Sequence, residues 1–183
     1  MPANLDDIVD KELYAKLKKV REMEPSEIVP TNTYLRDTFE TSTGEEKPFR
    51  LRPYQRQMVY HLVLMRRFIC GDGTGLGKTI ESLSALAVIW DSKGPDLPPM
   101  VLTEKSARGQ WRDEIYKFMR GVQPVVVDGG PDERPETYRR FFEEWDPENP
   151  EILITNYAKP RIDSEDILPY VKEYPTAVVS DES

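Results

Sequence analysis

The sequence predicts an α/β fold, a parallel sheet covered by helices on both faces, on three observations. Short β-rich apolar runs recur along the second two-thirds of the chain, and amphipathic helical stretches separate them. Those runs are apolar throughout rather than alternating, which is the pattern of strands buried on both sides. A glycine-rich turn directly follows the first run and opens a helix, the local order of a βα unit.

Taken from the N-terminus, residues 4–22 read as an amphipathic helix. Asn4 caps it, Asp6 and Asp7 sit in its first turn, and Lys16, Lys18, Lys19 and Arg21 crowd its last. Leu5, Ile8, Val9, Leu13, Leu17 and Val20 form its apolar stripe, and Pro25 ends it. Residues 25–48 carry Pro25, Pro30, Gly44 and Pro48 among polar residues and read as a loop-rich connection. The expected division is therefore an N-terminal extension over 1–46 and a main domain over 47–183.

In the main domain, Pro53–Arg66 reads as a helix with Tyr54, Met58, Leu62 and Met65 on its inner face. Phe68–Cys70 is a short strand, and Lys78–Trp90 a helix with Ile80, Leu83, Ala87 and Trp90 inward. Met100–Leu102 is the next strand. Ala107–Arg120 is a helix with Trp111, Ile115, Phe118 and Met119 aligned, stopped by Gly121. Val125–Val127, Ile152–Ile154 and Ala177–Val179 complete the strands. Between the first two of these, Pro135–Trp145 is a helix whose Tyr138, Phe141, Phe142 and Trp145 make a core stripe. The acidic stretch 132–151 reads as a solvated helix and loop surface.

Composition excludes several function classes. The chain has 183 residues, one cysteine and one histidine, so neither a disulfide scaffold nor a Cys/His metal site is available. No apolar run approaches the length of a bilayer span, and the acidic start is unlike a signal peptide. A soluble intracellular protein, cytoplasmic or nuclear, is expected. The net charge of −8 falls entirely in residues 91–183. That balance argues against nucleic-acid binding by bulk attraction and leaves room for a few local phosphate contacts.

The most informative segment is Gly71-Asp72-Gly73-Thr74-Gly75-Leu76-Gly77-Lys78-Thr79. Glycines let several backbone N–H groups turn toward one anion at the positive end of the following helix. Lys78 is suited to the β- and γ-phosphates of a nucleotide, and the Thr79 hydroxyl to Mg²⁺. Neither register of these glycines fits G-x-G-x-x-G, which argues against a dinucleotide site. The second signal is Ala177-Val178-Val179-Ser180-Asp181-Glu182, an apolar strand delivering two carboxylates at its C-terminal edge. In a parallel sheet it emerges beside the glycine turn, so one carboxylate can order magnesium and the other activate water.

These segments, with Leu51-Arg52-Pro53-Tyr54-Gln55 ahead of them, resemble the front of a superfamily 2 helicase-type ATPase. They are most similar to the Swi/Snf-type double-stranded DNA translocases, whose phosphate loop also begins with Asp. Val101-Leu102-Thr103 and Gln110-Trp111-Arg112-Asp113-Glu114 resemble the family's motif Ia region. Ile152–Tyr157 is similar to its motif Ib neighbourhood, and Asp181-Glu182-Ser183 to the start of motif II.

The resemblance implies a RecA-like P-loop domain that binds ATP and Mg²⁺ and moves on DNA by contacts to phosphates. Gln55 would recognise adenine, with Arg52 flanking it. Asp72, Gly73, Thr74, Gly75, Leu76, Gly77, Lys78 and Thr79 would cradle the phosphates. Asp181 would order Mg²⁺ with Thr79, and Glu182 would polarise the attacking water, with Lys78 completing the catalytic set. Thr103, Lys105, Ser106, Thr155 and Asn156 would lie near the DNA backbone. Trp111 is expected in the core. Glu81 stands where the family often has glutamine. Because the chain stops within motif II, it is expected to be the front of a longer protein, with a second RecA-like domain supplying an arginine finger. Two other readings compete: a P-loop NTPase that does not act on nucleic acid, and a non-catalytic nucleotide-fold interaction module.

Overall fold

A computed structural model of the chain describes residues 15, 33–65, 70, 75–96 and 98–181. The expected helix over 4–22 lies outside the described residues apart from Ala15, as does the expected strand over 68–70 apart from Cys70.

Four strands form one parallel sheet: β3 (Pro99–Thr103), β4 (Gln123–Val126), β5 (Glu151–Asn156) and β6 (Ala177–Ser180), in the order β4-β5-β3-β6. Ahead of them run α1 (Pro53–Leu64) and α2 (Lys78–Lys93), and between them α3 (Arg108–Phe118), α4 (Arg134–Glu143), α5 (Ala158–Ile162) and α6 (Ser164–Glu173). The α/β expectation holds, since apolar strands can be buried on both faces only if helices cover both. Val101, Ile152 and Ile154 pack with Leu83, Leu86 and Trp90 of α2 and Trp111 and Ile115 of α3. Their neighbours Met100 and Leu153 face the other way, onto Tyr138, Phe141 and Phe142 of α4 and Ile167 of α6. The two-residue period of the strands thus divides one sheet between two cores.

The inner faces predicted for α2, α3 and α4 are the observed ones, down to Ile80, Ala87, Phe118 and Met119, except that Trp145 lies past the end of α4 and is half-buried. The prediction for α1 needs correction. The helix ends at Leu64 and buries Gln55 and Val59, whereas Tyr54 is exposed and Met58, Leu62 and Met65 are half-buried. A polar side chain turned inward by its own hydrogen bonds carries no hydrophobic periodicity, so the apolar pattern misplaced the face by one residue.

Two further features were not predicted. Residues 33–49 pack onto the domain through Leu35, which is buried, and through Tyr34, Phe39 and Phe49, which are half-buried. Strands β1 (Thr38–Glu40) and β2 (Glu46–Pro48) form an antiparallel hairpin, and Phe39 and Phe49 each pack on Phe118. Leu35 bridges to Met119, while Arg36 N–H donates to the Phe118 carbonyl and Arg120 N–H to that of Tyr34. The short helices α5 and α6 escaped notice because each contains a proline, Pro160 and Pro169, which reads as a breaker.

The surface role expected of the acidic stretch is met on α4, where Arg139 pairs with Glu136, Glu143 and Glu144. Under it lies a buried ion pair. Arg134 donates from Nε and Nη2 to both oxygens of Asp163, which also accepts from the Tyr138 hydroxyl. Those bonds hold the Asp163 carboxyl below the usual range against the opposing effect of burial, and burial pushes the Tyr138 phenol upward. The pair ties the start of α4 to the α5–α6 junction.

Candidate functional site

Gly75 and Gly77 stand just before α2 with φ of +80° and +96°, conformations that side chains with a Cβ rarely adopt. At Gly77 a Cβ would also lie 2.4 Å from Gln55 Nε2, so any other residue there would strain the backbone and displace the Gln55 amide as well. Lys78 and Thr79 are the first two residues of α2, where backbone N–H groups lack helical partners and attract anions. Of the other residues assigned to this site, Asp72, Gly73, Thr74 and Glu182 lie outside the described residues. Leu76 is exposed.

Gln55 is 8% exposed and joins α1 to this loop. Its Nε2 donates to the Leu76 carbonyl at 3.0 Å, and its Oε1 accepts the Arg52 N–H at 2.9 Å, which fixes the first turn of α1. A primary amide offers two N–H donors and two lone pairs, so one of each remains after these bonds. Tyr54 was missed by sequence reasoning, which took it for a packing residue. Its hydroxyl donates to the same Leu76 carbonyl at 3.1 Å. The Arg52 side chain is exposed.

Asp181 follows β6 at the sheet edge, where its N–H continues the ladder by donating to the Leu102 carbonyl at 2.8 Å. Its Oδ2 accepts the Trp111 indole N–H at 2.7 Å and the Thr103 hydroxyl at 3.4 Å. Trp111 is in the core, as expected, but its bond to Asp181 is a second role that periodicity does not reveal.

Gly75, Gly77, Lys78, Thr79 and Asp181 line one cavity of about 380 Å³, closed on the other side by Gln110, Trp111, Glu114 and Phe118. Burial pushes the Glu114 carboxyl up, with Lys117 opposing it and Asp113 adding to it. Among the described residues no group of three or more His, Cys, Asp or Glu could hold a metal alone. A hydroxyl and one carboxylate beside a glycine turn at a helix N-terminus nevertheless suit Mg²⁺, which keeps its waters and takes few protein ligands.

The residues assigned to a DNA backbone divide in two. Lys105 and Ser106 are exposed in the β3–α3 connection. Thr103 and Thr155 are fully buried, and Asn156 is nearly so, its Oδ1 accepting the N–H groups of Ala158 and Lys159 at the start of α5. Close by, at the end of β4, Arg108 donates to the Val127 carbonyl at 2.7 Å and to Asp128 at 2.6 Å, and Lys159 donates to the same carbonyl. Burial and the nearby Arg108 charge lower the Lys159 ammonium below its usual range.

Residues 54–182 match the family described as the SNF2-related domain. Among curated relatives, the chain is 32% identical over 131 residues to the ISWI chromatin-remodeling complex ATPase ISW2 of Saccharomyces cerevisiae, covering 69% of this chain and 11% of that one. It is 39% identical over 66 residues to the ISWI chromatin-remodeling complex ATPase CHR11 of Arabidopsis thaliana, covering 36% and 6%. It is 24% identical over 121 residues to the putative ATP-dependent helicase/translocase YwqA of Bacillus subtilis, covering 64% and 13%. The chain thus spans roughly a tenth of the length of these relatives.

Proposed function

Because the chain belongs to the SNF2-related domain family, we propose that it is the ATP-binding portion of a DNA-dependent ATPase that couples hydrolysis to movement on, or remodelling of, DNA. The observation that carries this reading is the single cavity shared by Lys78, Thr79 and Asp181, residues a hundred positions apart. A RecA-like sheet brings phosphate loop and acidic strand end to one edge, where they meet one nucleotide.

In this reading Gly75, Gly77 and Lys78 bind the phosphates through backbone N–H groups and the ammonium. Thr79 and Asp181 would hold Mg²⁺, the latter through water, and the ion would supply positive charge against that of the phosphates. Glu182, next to Asp181, polarises the attacking water. Gln55 recognises adenine through the donor and acceptor left over from its internal bonds. An arginine from a second RecA-like domain completes stabilisation of the transition state. Double-stranded DNA is held by its phosphates, so sequence preference is weak. The exposed Lys105 and Ser106 make that contact, and the buried Thr103, Thr155 and Asn156 shape the strand ends beneath it. The setting is soluble and intracellular. Among the described residues no helix is long and apolar enough to cross a membrane.

The test is ATP binding and DNA-stimulated phosphate release by the natural full-length protein and its Lys78→Ala variant. Loss of both in the variant, with duplex DNA stimulating the parent, supports the reading. ATP turnover indifferent to DNA would favour an NTPase that does not act on nucleic acid. Binding unaffected by Lys78→Ala would leave only the interaction module.

A further inference from the structure

Trp111 is 2% exposed, and a buried indole N–H requires an acceptor. The acceptor it meets is the carboxylate of Asp181, 70 residues away in sequence, at 2.7 Å. The backbone of Asp181 is already fixed by its bond to the Leu102 carbonyl, but that bond leaves the side-chain torsions unset. The indole is itself rigid, with its ring packed among Trp90, Val101 and Ile115 in the core between the sheet and its covering helices. A rigid donor aimed at one carboxylate oxygen sets the rotation of the whole group.

We propose that Trp111 is a positioning residue for the magnesium-ordering carboxylate: it engages Asp181 Oδ2 and so sets the direction in which the carboxylate meets the metal–nucleotide complex. An indole donates and never accepts, so Trp111 is not itself a metal ligand. The Thr103 hydroxyl, 3.4 Å from the same oxygen, is a weaker second support. This inference rests on the reading of Asp181 as the magnesium carboxylate.

Trp111→Phe keeps an aromatic ring in the core and removes the donor. The experiment titrates Mn²⁺, as a paramagnetic substitute for Mg²⁺, into the full chain at saturating ADP and follows free Mn²⁺ by electron paramagnetic resonance. ADP affinity is measured separately in EDTA. Partners that orient a metal ligand typically contribute 10- to 100-fold in affinity, so Trp111→Phe should weaken Mn²⁺ about tenfold. ADP affinity in EDTA should not change, and Asp181→Asn should leave Trp111→Phe with no further effect. Unchanged Mn²⁺ affinity in Trp111→Phe beside weakened affinity in Asp181→Asn would overturn the inference and spare the reading of Asp181. Unchanged affinity in both variants would overturn both. Equal losses with and without metal would reduce Trp111 to packing.

If Trp111→Phe does not fold, the indole N–H resonances of ¹⁵N-labelled parent and Asp181→Asn chains decide the matter. One indole resonance should move in the variant, while that of Trp145, bonded to the Pro95 carbonyl, stays in place. No indole shift would overturn the inference.

Discussion

The Gln55 side chain donates to the Leu76 carbonyl across 21 residues, so α1 holds the glycine turn ahead of α2 by its backbone. The same amide accepts the Arg52 N–H, and one side chain therefore stabilises both the start of α1 and the approach to Gly77. A loop of glycines has high conformational freedom, and this anchoring would reduce what the proposed nucleotide must order on binding.

Gln55→Ala should weaken ATP binding at least roughly fivefold, since it removes the anchor to the Leu76 carbonyl, about 1 kcal/mol for one hydrogen bond, together with the donor and acceptor proposed for adenine. Isothermal titration of the variant with Mg-ATP measures it. An affinity equal to the parent's would contradict both the anchor and the adenine role proposed for Gln55.

The two positive-φ glycines should not be equivalent. Gly75→Ala meets only the dihedral penalty, about 1–2 kcal/mol, because no described atom lies within 4 Å of its Cβ. Gly77→Ala meets that penalty and the Gln55 amide as well, so it should be the less stable variant in urea unfolding. Combining Gly77→Ala with Gln55→Ala should recover part of the difference. Equal stabilities for the two glycine variants would contradict the contact.

Asp163→Ala should destabilise the fold by about 3 kcal/mol, since it strands the Arg134 guanidinium in the interior. The pH dependence has a definite sign. The hydrogen bonds from Arg134 hold the folded carboxyl below its unfolded value of about 3.9. The pair's contribution is therefore complete above about pH 4 and is lost as pH falls through the lower, folded value. Urea unfolding at pH 7, 5 and 3 should show the gap between parent and variant constant at first and narrower at pH 3. A gap that widens on acidification would contradict the pair.

Lys105→Ala should weaken duplex binding by the full-length protein without regard to sequence. It should also lower the slope of log affinity against log salt by about one, the signature of one lost phosphate contact. Fluorescence anisotropy at several salt concentrations reads both quantities. An unchanged slope would remove Lys105 from the interface.

Much of the fold was legible in neighbouring residues. Apolar triplets such as Ile152–Ile154 announce strands buried on both faces, and the spacing of Leu83, Ala87 and Trp90 announces the inner face of α2. The need for glycine at Gly75 and Gly77 could be read beside Lys78 and Thr79, because phosphate-loop geometry is a local backbone requirement. The α1 face was misread because Gln55 turns inward for hydrogen bonds, a reason with no hydrophobic signature. The hairpin of residues 38–48 was passed over because its strands are three residues each and polar. Their place is set by Phe39 and Phe49 meeting Phe118.

The sequence by itself determined the alternation of strands and helices, the glycine turn before α2 and the apolar strand that ends at Asp181, all features encoded within a few residues of one another. Only the tertiary structure decided which distant groups meet: Trp111 with Asp181, Gln55 with Leu76, and Arg134 with Asp163. The first of these follows from the order β4-β5-β3-β6, in which β3, the strand before α3, lies beside β6, the strand before Asp181. The others are set by how helices and turns pack around that sheet. Local periodicity reports which way a side chain faces. It is the crossover of the sheet that selects the partner it finds there.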